Sequence, residues 1–378
     1  MKKSLFFDFQ LFAMNEEELF YVLALQKVEL VGDIVAKKLL THFGSAKEIF
    51  QSKAVKLQSI DGIGSILIRN LKDKSVFQKV ETELQFIKEN HIETLYFKDE
   101  NYPEKLKHCI DGPVLLFASG NFDLKNRKII SIVGTRQITS YGMECCKKLI
   151  ADLAPLNPII VSGFAYGVDI VAHQFAMDYN LQTIGVLAHG LNQIYPRTHK
   201  KYMSKMEENG GFISEFWSDT NPDKERFVRR NRIVAGMSDA TIVVETAIKG
   251  GSMITANLAF DYNREVFAVP GKIHDSKSKG CLALIKRNKA HLYHDVENLL
   301  EQMGWPLAAQ NSPQKELEFT FSPDSKSVLA HIEAHGPIHR ELIANELKIN
   351  TSKLSNLLLS LEMNGEIQLL AGNRYAVR

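Results

Sequence analysis

The 378-residue chain has few cysteines, little net charge and no long hydrophobic run. Its four cysteines include an adjacent pair, Cys145 and Cys146, and their spacing fits neither a disulfide framework nor a zinc site. No apolar run approaches the roughly 20 residues that span a bilayer, and the first residues lack the cleavage site of a signal peptide. We therefore expect a cytoplasmic protein with reduced thiols and no membrane partner.

Two motifs that would define an enzyme class are also absent. No G-x-x-x-x-G-K-[ST] segment occurs, which excludes a P-loop ATPase. The G-x-S-x-G elbow of the α/β-hydrolases is missing around Ser162, because position 160 is isoleucine. The sequence predicts no cofactor and no metal site. Since the formal net charge is only +2, any anion must bind to a local patch of positive charge.

The middle of the chain alternates short β-branched runs with helical patterns. The runs are almost wholly apolar, which suits strands that are covered on both faces. This alternation predicts an α/β fold with a doubly wound, mostly parallel, Rossmann-like sheet, which binds ligands at the carboxyl ends of its strands. The predicted strands are 128–135, 158–163, 183–190, 211–216, 240–246 and 265–271.

Residues 1–85 have the pattern of a helical domain (SAM-like, or helix-hairpin-helix). The segment "LQSIDGIGSILIRNL" (57–71) resembles a helix-hairpin-helix motif, in which backbone N–H groups at a helix start bind a phosphate. A looser relative occupies 28–44. For 28–44 we favour a purely structural hairpin, whereas for 57–71 the structural and the phosphate-binding hypotheses both stay open.

A linker with Pro, Gln and Ser, 306–320, separates the core, 86–305, from a small C-terminal domain, 321–378. Three helical segments followed by two short strands around a Gly-Asn turn predict a winged helix. The third helix carries only Lys353 as a cation, and the domain has six basic and six acidic residues. Such a balance makes a poor phosphate-binding surface, so we favour a protein-contact or structural role.

Glycine-rich turns follow three of the predicted strands. In the first, Gly134–Arg136, arginine stands where a dinucleotide-binding loop has its second glycine, so a phosphate would meet a guanidinium as well as a helix N-terminus. The second contains Ser162 and Gly163, and the third contains Gly250–Ser252. Three such turns at one edge of a sheet predict an anion-binding site.

Three ionisable residues near these turns have either a catalytic or a structural interpretation. Asp169 and His173, four apart on a helix, would complete a triad with Ser162, but the missing elbow argues against catalysis. We interpret Asp169, His173 and Glu245 as residues that brace the loops.

The segment "FVRRNRIVAG" (227–236) places Arg229, Arg230 and Arg232 within four positions. Only two acids, Asp223 and Glu225, lie just before them, so we expect local pairing to leave positive charge over. Arginine forks match phosphate oxygens. Further cations expected near the same edge are Arg136, Lys200, Lys201 and Lys249.

Aromatic side chains are expected beside these cations. Phe164 and Tyr166 follow the second glycine-rich turn and could stack on bases. A basic crevice with stacking side chains suits single-stranded nucleic acid, whereas a lone nucleotide would need fewer cations.

Together these segments resemble the DNA-processing protein A family (DprA, also called Smf). The resemblance covers roughly 100–300 and rests on "IVGTR", "VSGFAYGVDIVAH", "YPRTHKKY", "SEF", "FVRRNRIVAG", "VVETAIKGGSMITA", "REVFAVPG" and "SKGCLALI", in that order. It implies a protein that is not an enzyme, binds single-stranded DNA, forms a homodimer through the Rossmann-like core and loads the RecA recombinase during natural transformation.

The resemblance and the residue pattern together define the expected DNA-contacting residues. These are Gly134, Thr135, Arg136, Ser162, Gly163, Phe164, Lys201, Arg229, Arg230, Asn231, Arg232, Gly250, Gly251 and Ser252. Two positions depart from the family pattern near the expected ligand edge, His189 in "LAHGLNQIYP" and Leu282 in "SKGCLALI".

Two other functions compete with this interpretation. A nucleotide-processing Rossmann enzyme, similar to the phosphoribohydrolases that resemble lysine decarboxylases, would use Glu245 as its acid, although the P-G-G-x-G-T-x-x-E pattern of such enzymes is absent. An adaptor that acts only through protein contacts would explain the neutral winged helix but not the arginines.

Overall fold

A nine-stranded sheet organises the larger part of the protein in the computed structural model, which describes residues 14–306, 322–363, 365–370 and 372–377. Its strands are β1 (Glu93–Tyr96), β2 (Leu115–Asn121), β3 (Ile129–Val133), β4 (Ile159–Ser162), β5 (Thr183–Leu187), β6 (Gly210–Ser214), β7 (Ala240–Val243), β8 (Glu265–Ala268) and β9 (His291–Leu292). They lie in the order β1-β2-β6-β5-β4-β3-β7-β8-β9. All neighbouring pairs in the part β6-β5-β4-β3-β7-β8-β9 are parallel. At the other edge, β2 pairs with β6 and β1 pairs with β2, both antiparallel.

Helices precede the sheet in the chain and connect its strands. The helices before it are α1 (Glu16–Lys27), α2 (Asp33–Phe43), α3 (Ala46–Gln51), α4 (Ala54–Gln58), α5 (Ser65–Lys72) and α6 (Val76–Glu89). Those within it are α7 (Glu104–Lys107), α8 (Ser140–Leu153), α9 (Val168–Asp178), α10 (Lys200–Glu208), α11 (Lys224–Met237), α12 (Gly251–Asp261), α13 (Lys279–Lys286) and α14 (Val296–Met303).

The predicted doubly wound, mostly parallel sheet is confirmed. All six predicted strands form, and every residue of β3, β5 and β6 is buried. Helices α8 and α9 bury apolar residues on one face of the sheet, and α11 and α12 do so on the other. Burial on both faces explains why the strands are apolar throughout and do not alternate.

Three strands were not predicted, and each lies at or next to an edge of the sheet. β2 begins buried but ends in the exposed Gly120 and Asn121, so its apolar run is short. β9 has two exposed residues, which are ordered by pairing with β8 alone. The two exposed residues of β9 give only a weak sequence pattern.

The N-terminal helices pack on the sheet as part of the same unit. Leu19 and Leu39 share one apolar core with Leu115 and Phe117 of β2. Glu83 of α6 accepts hydrogen bonds from the backbone N–H and the hydroxyl of Ser218. Helix α6 also runs through positions 85 and 86, where the sequence predicts a domain boundary. The helices and the core therefore form one compact unit within 14–306.

The two predicted hairpins differ in what their second helices contact. Asp33, in the first turn of α2, accepts the backbone N–H of Val114, so the start of this helix is docked against the core. Between α4 and α5 the turn contains Gly62, whose φ is +81°, and Gly64, the N-cap of α5, and both are exposed. The structural interpretation of 28–44 therefore suits its packing, and the turn of 57–71 is open to solvent.

The second unit, described from residue 322, is the predicted winged helix. Its elements are α15 (Pro323–His335), β10 (Ile338–His339), α16 (Arg340–Glu346), α17 (Thr351–Met363), β11 (Ile367–Leu370) and β12 (Arg374–Val377). The strands pair in the order β10-β12-β11, of which the two-residue β10 was not predicted. Val328, Ile343 and Leu358 lie in its separate apolar core.

Parts of two predictions concern residues outside the described ranges. The first 13 residues, where a signal peptide was excluded, and residues 307–320 of the predicted linker are among them. Among the described helices, none is long and apolar enough to cross a membrane.

Candidate nucleic-acid interface

A cavity of about 750 Å³ lies at the carboxyl ends of β3 and β7. The strand order reverses at β3, because β4 follows it on one side whereas β7 lies on the other. Open α/β sheets bind ligands in the crevice at such a reversal. Three strand-to-helix turns and helix α11 form the walls of the cavity.

The cavity brings together nine of the fourteen residues predicted to contact DNA. These are Gly134, Thr135, Arg136, Gly163, Arg230, Asn231, Gly250, Gly251 and Ser252. The other five, Ser162, Phe164, Lys201, Arg229 and Arg232, do not line it.

Arg230 is the buried cation of the cavity wall, with 4% of its surface exposed. Its Nη1 donates to the carbonyl oxygens of Gly163 and Val186, and its Nε donates to Oδ1 of Asn231 at 3.2 Å. Burial lowers the pKa of Arg230 to about 10, so the guanidinium remains charged at neutral pH. A fixed positive charge therefore lies behind the turn after β4.

Glycine is required at two positions of this wall. A Cβ on Gly163 would collide with the guanidinium of Arg230, which cannot move away without breaking its bonds to buried carbonyls. Gly167 has a φ of +76°, and a Cβ there would collide with the carbonyl oxygen of Thr135. The close approach of the turns after β3 and β4 thus depends on Gly167, and the close approach of the turn after β4 to Arg230 depends on Gly163.

Arg232 faces away from the cavity and forms a buried ion-pair network. Its Nη2 lies 2.5 Å from Oε2 of Glu215 and 3.0 Å from Oδ2 of Asp33. Burial acts to lower the pKa of Arg232, but the charges of Glu215 and Asp33 outweigh it and hold the pKa above its usual range. Arg229, which is half exposed, pairs with the same two carboxylates at 2.8 and 3.2 Å.

This network corrects the argument that pairing leaves the arginines of "FVRRNRIVAG" unneutralised. The two acids just before the segment are not the partners of Arg229 and Arg232. Their partners, Asp33 of α2 and Glu215 after β6, come from distant parts of the chain. Arg230 alone of the three arginines reaches the cavity.

The aromatic side chains that line the cavity, Tyr195 and Phe227, are not the ones predicted. Phe164 is 1% exposed and packs edge-on against Phe212 and His199, so it offers no face to a base. Tyr195, 45% exposed, lines the cavity next to Phe227, with the ring centroids 5.6 Å apart. The guanidinium of Arg136 lies 5.4 Å from the Phe227 ring centroid.

Tyr166, the second predicted stacking residue, is exposed but does not line the cavity. Its ring packs edge-on against His199. The segment "YPRTHKKY" contained the missed Tyr195, and the lack of a strand pattern there left its position unpredictable.

Asp169 and His173 have separate structural contacts. The Asp169 carboxylate accepts the N–H of Ala165 at 3.3 Å across the turn that follows β4, and burial raises its pKa against the lowering effect of Arg230. His173 bonds through Nδ1 to the hydroxyl of Thr183 at 2.6 Å, and burial lowers its pKa to about 3. Ser162 donates to the carbonyl of Ile132. These contacts give no nucleophile–base–acid arrangement.

Glu245 holds the turn between β3 and α8. One carboxylate oxygen accepts the N–H of Thr139 at 2.9 Å, and the other accepts its hydroxyl at 2.6 Å. The same hydroxyl accepts the N–H of Gly142, so Thr139 caps the helix while Glu245 fixes Thr139. Glu245 is buried and does not line the cavity.

The start of α12 presents hydrogen-bond donors to the cavity. Gly250 is the N-cap and supplies no side-chain cap, and Gly251 and Ser252 form the first turn. The Ser252 hydroxyl is buried without a hydrogen-bond partner among the described residues. A free hydroxyl beside the positive end of an 11-residue helix suits a phosphate oxygen.

The charge of the cavity wall is mixed. Arg136 and Arg230 are joined by Lys224, which no sequence pattern indicated, whereas Asp169 and Asp223 are acidic. Asp223 accepts the N–H of Glu225 as the N-cap of α11, so its carboxylate is partly committed to the helix. The positive charge is therefore local and moderate.

Several predicted positions lie outside the cavity. Lys200, Lys201 and Lys249 are exposed but do not line it, and neither do the two departures from the family pattern. His189 is buried with Nδ1 2.9 Å from the carbonyl oxygen of Gly190, and Leu282 is half-buried in α13. Neither departure therefore contributes a side chain to the lining of the cavity.

Comparison with known protein families agrees with this architecture. The model of the DNA recombination-mediator protein A family matches residues 93–304, and that of the DprA winged helix domain matches 306–373. The chain belongs to the DprA family. The DprA protein of Bacillus subtilis is 32% identical over 294 residues, covering 77% of this chain and 95% of that protein. Protein Smf of Escherichia coli is 32% identical over 311 residues, covering 80% and 82%.

Two solved structures of DprA proteins are similar to this chain. DprA of Streptococcus pneumoniae is 28% identical with a TM-score of 0.63, and the match covers 75% of this chain and 97% of that one. DprA of Helicobacter pylori, whose structure was described for its single-stranded DNA binding mode, is 30% identical with a TM-score of 0.50, and the match covers 56% and 95%.

Proposed function

We propose that this DprA-family chain binds single-stranded DNA in the cavity at the ends of β3 and β7. One observation carries the proposal: three glycine-containing turns converge on a cavity that also holds Arg136, Lys224 and Arg230. Such turns let a nucleic-acid backbone approach the protein backbone closely, and the cations neutralise its phosphates.

Each wall of the cavity has its own role in this proposal. Arg136 and Lys224 are exposed and contact phosphates directly, whereas the buried Arg230 supplies charge from behind the Gly163 turn. The start of α12, with Ser252, binds one phosphate. Tyr195 stacks on a base, which favours a single strand because bases in a duplex already stack on each other.

The proposal is tested by fluorescence anisotropy of labelled oligo-dT and of its duplex over a series of salt concentrations. We expect preference for the single strand and an affinity that falls with salt, with about 0.7 added to the slope for each neutralised phosphate. Equal affinity for both forms, or binding that ignores salt, would contradict it.

In cells, the proposed protein is cytoplasmic, forms a homodimer through its Rossmann-like core and loads RecA onto single-stranded DNA in transformation or recombination. All four cysteines are free thiols, in keeping with a reducing compartment. RecA activity on single-stranded DNA coated with a binding protein should rise when this chain is added.

The homodimer is tested separately by light scattering. A monomer at all concentrations would contradict the proposed homodimer and leave the proposed DNA binding unaffected.

The winged helix acts in this proposal as a protein-contact module. Lys353, the cation of α17, pairs with Asp324 at 2.5 Å. Deletion of residues 307–378 should therefore leave affinity for oligo-dT within about twofold, whereas a large loss would show that the winged helix binds DNA.

The enzymatic alternative lacks support from the site. Both oxygens of Glu245 bond to Thr139, and the residue lies outside the cavity. We expect no base release from nucleoside monophosphates, and release that is lost in Glu245→Ala would revive that alternative.

A further inference from the structure

The winged helix contains a cluster of two imidazoles and a carboxylate that the DNA-binding proposal does not use. His331 and His335 lie on consecutive turns of α15, and Glu346 ends α16. The His331 Nε2 is 2.7 Å from the Glu346 Oε2, and the two rings have centroids 4.4 Å apart. One ligand atom from each residue lies within 4.8 Å of the others.

We propose that His331, His335 and Glu346 bind a divalent transition-metal ion of the zinc type. Imidazole nitrogens with one carboxylate oxygen suit Zn²⁺ and its first-row neighbours better than Mg²⁺ or Ca²⁺, which prefer oxygen alone. Three protein ligands leave one position of a tetrahedral ion for water or for an incoming group. Among the described residues, His331, His335 and Glu346 are the histidine, cysteine or carboxylate side chains that lie close enough together, in a group of three, to share an ion.

The His335 ring is already oriented for this role. Its Nδ1 lies 2.9 Å from the carbonyl oxygen of His331. A carbonyl oxygen only accepts, so Nδ1 carries the proton, and the neutral ring then has its lone pair on Nε2. Metal-binding histidines are commonly fixed in this way, by a hydrogen bond from the other ring nitrogen.

An ion pair between His331 and Glu346 accounts for only part of this arrangement. It needs a protonated His331 and does not involve His335, whose ring centroid lies 4.4 Å from that of His331. A metal needs both rings neutral and draws both nitrogens to one point. Residues four apart on a helix already face the same side, so chelation by the pair needs little rearrangement.

Binding would link the end of α15 to the end of α16. The two helices are joined by a connection that contains β10, and both pack on the core of the winged helix. A bound ion would therefore fix the angle between them and stabilise this unit alone. The larger unit and its cavity would be unaffected, so the inference does not depend on the proposed DNA binding.

The test titrates Co²⁺, a coloured substitute for Zn²⁺, into the full-length protein after removal of metals. We expect one ion per chain, the strong visible absorption of a tetrahedral cobalt site, and displacement by Zn²⁺. His335→Ala and Glu346→Gln should weaken binding at least tenfold. Both residues are exposed, so these variants should fold normally, which circular dichroism checks.

A matched control is His291→Ala, which removes an exposed histidine that pairs with Glu265 at 2.9 Å in the larger unit. It should bind Co²⁺ like the unsubstituted protein. Unchanged binding in His335→Ala, an equal loss in His291→Ala, or a thiolate-to-cobalt charge-transfer band from a cysteine site would each overturn the proposal. A second readout is the thermal midpoint of the winged helix, which Zn²⁺ should raise in the unsubstituted protein and not in His335→Ala.

Discussion

Asp33 of α2 forms an ion pair with Arg232 of α11 across 199 positions of the chain, with Oδ2 and Nη2 3.0 Å apart. Glu215, directly after β6, also forms an ion pair with Arg232. The arginine-rich helix, which carries Arg230 into the cavity, is thus tied to the N-terminal helices by a buried network. The helical segment positions the site without lining it.

Removal of Asp33 should therefore lower the free energy of unfolding by more than it reduces the magnitude of the free energy of DNA binding. Asp33→Asn leaves Arg232 with only Glu215 as a full charge partner, and loss of a hydrogen bond between charged groups costs about 1.5–3 kcal/mol. We expect a lower free energy of unfolding in urea. The control is Asp61→Asn, which removes a fully exposed partner of Lys38 and should change almost nothing.

Arg136 and Arg230 should respond differently to substitution. Arg136→Ala removes an exposed cation, so we expect roughly tenfold weaker oligo-dT binding, a salt slope smaller by about 0.7, and unchanged stability. Arg230→Ala leaves two buried carbonyls without their donor and should reduce both stability and affinity. Lys286→Ala, an exposed cation of α13 outside the cavity, is the control for general charge loss. Equal effects of Arg136→Ala and Lys286→Ala would contradict the assignment.

Two glycines of the cavity wall form a matched pair for a test of close packing. Gly163→Ala drives a methyl group into the Arg230 guanidinium, and we expect a loss of about 1–3 kcal/mol of stability together with weaker DNA binding. Gly251→Ala meets no protein atom within 4 Å at the start of α12, so it should leave the free energy of unfolding unchanged. Urea unfolding of the two variants distinguishes a steric requirement within the fold from a general need for glycine in these turns.

The sequence was sufficient for the parallel sheet and the winged helix, because continuous apolar runs and helix periodicity report burial directly. It was insufficient for the arginines. The partners of Arg232 lie 17 and 199 positions away in the chain, so no local sequence pattern predicts these ion pairs. The prediction that Phe164 stacks on bases was also wrong. A phenylalanine after a strand can equally well be buried, and Phe164 lies in the apolar core. Tertiary pairing decided these positions.

Tyr195 should provide the stacking surface that Phe164 does not. Tyr195→Leu keeps an apolar side chain but removes the ring, and stacking on one base contributes about 1–3 kcal/mol, so we expect at least fivefold weaker binding of oligo-dT. Tyr195→Phe should bind normally. The control is Tyr179→Leu, an exposed tyrosine at the end of α9 that does not line the cavity. Similar affinities for Tyr195→Leu and Tyr195→Phe would show that no base stacks there.

His173 should make stability depend on pH. Burial, then the charges of His199 and Arg230, lower its pKa to about 3 from an ordinary value of 6.5. The unfolded chain therefore binds more protons than the folded one between these values, and stability falls as the pH is lowered from about 6.5 towards 3. His173→Gln keeps a polar group beside Thr183 but cannot titrate, so its loss of stability between pH 7.5 and pH 5 should be smaller than that of the unsubstituted protein. Urea unfolding at both pH values measures the difference, and an equal loss in the two proteins would assign the acid sensitivity to other groups.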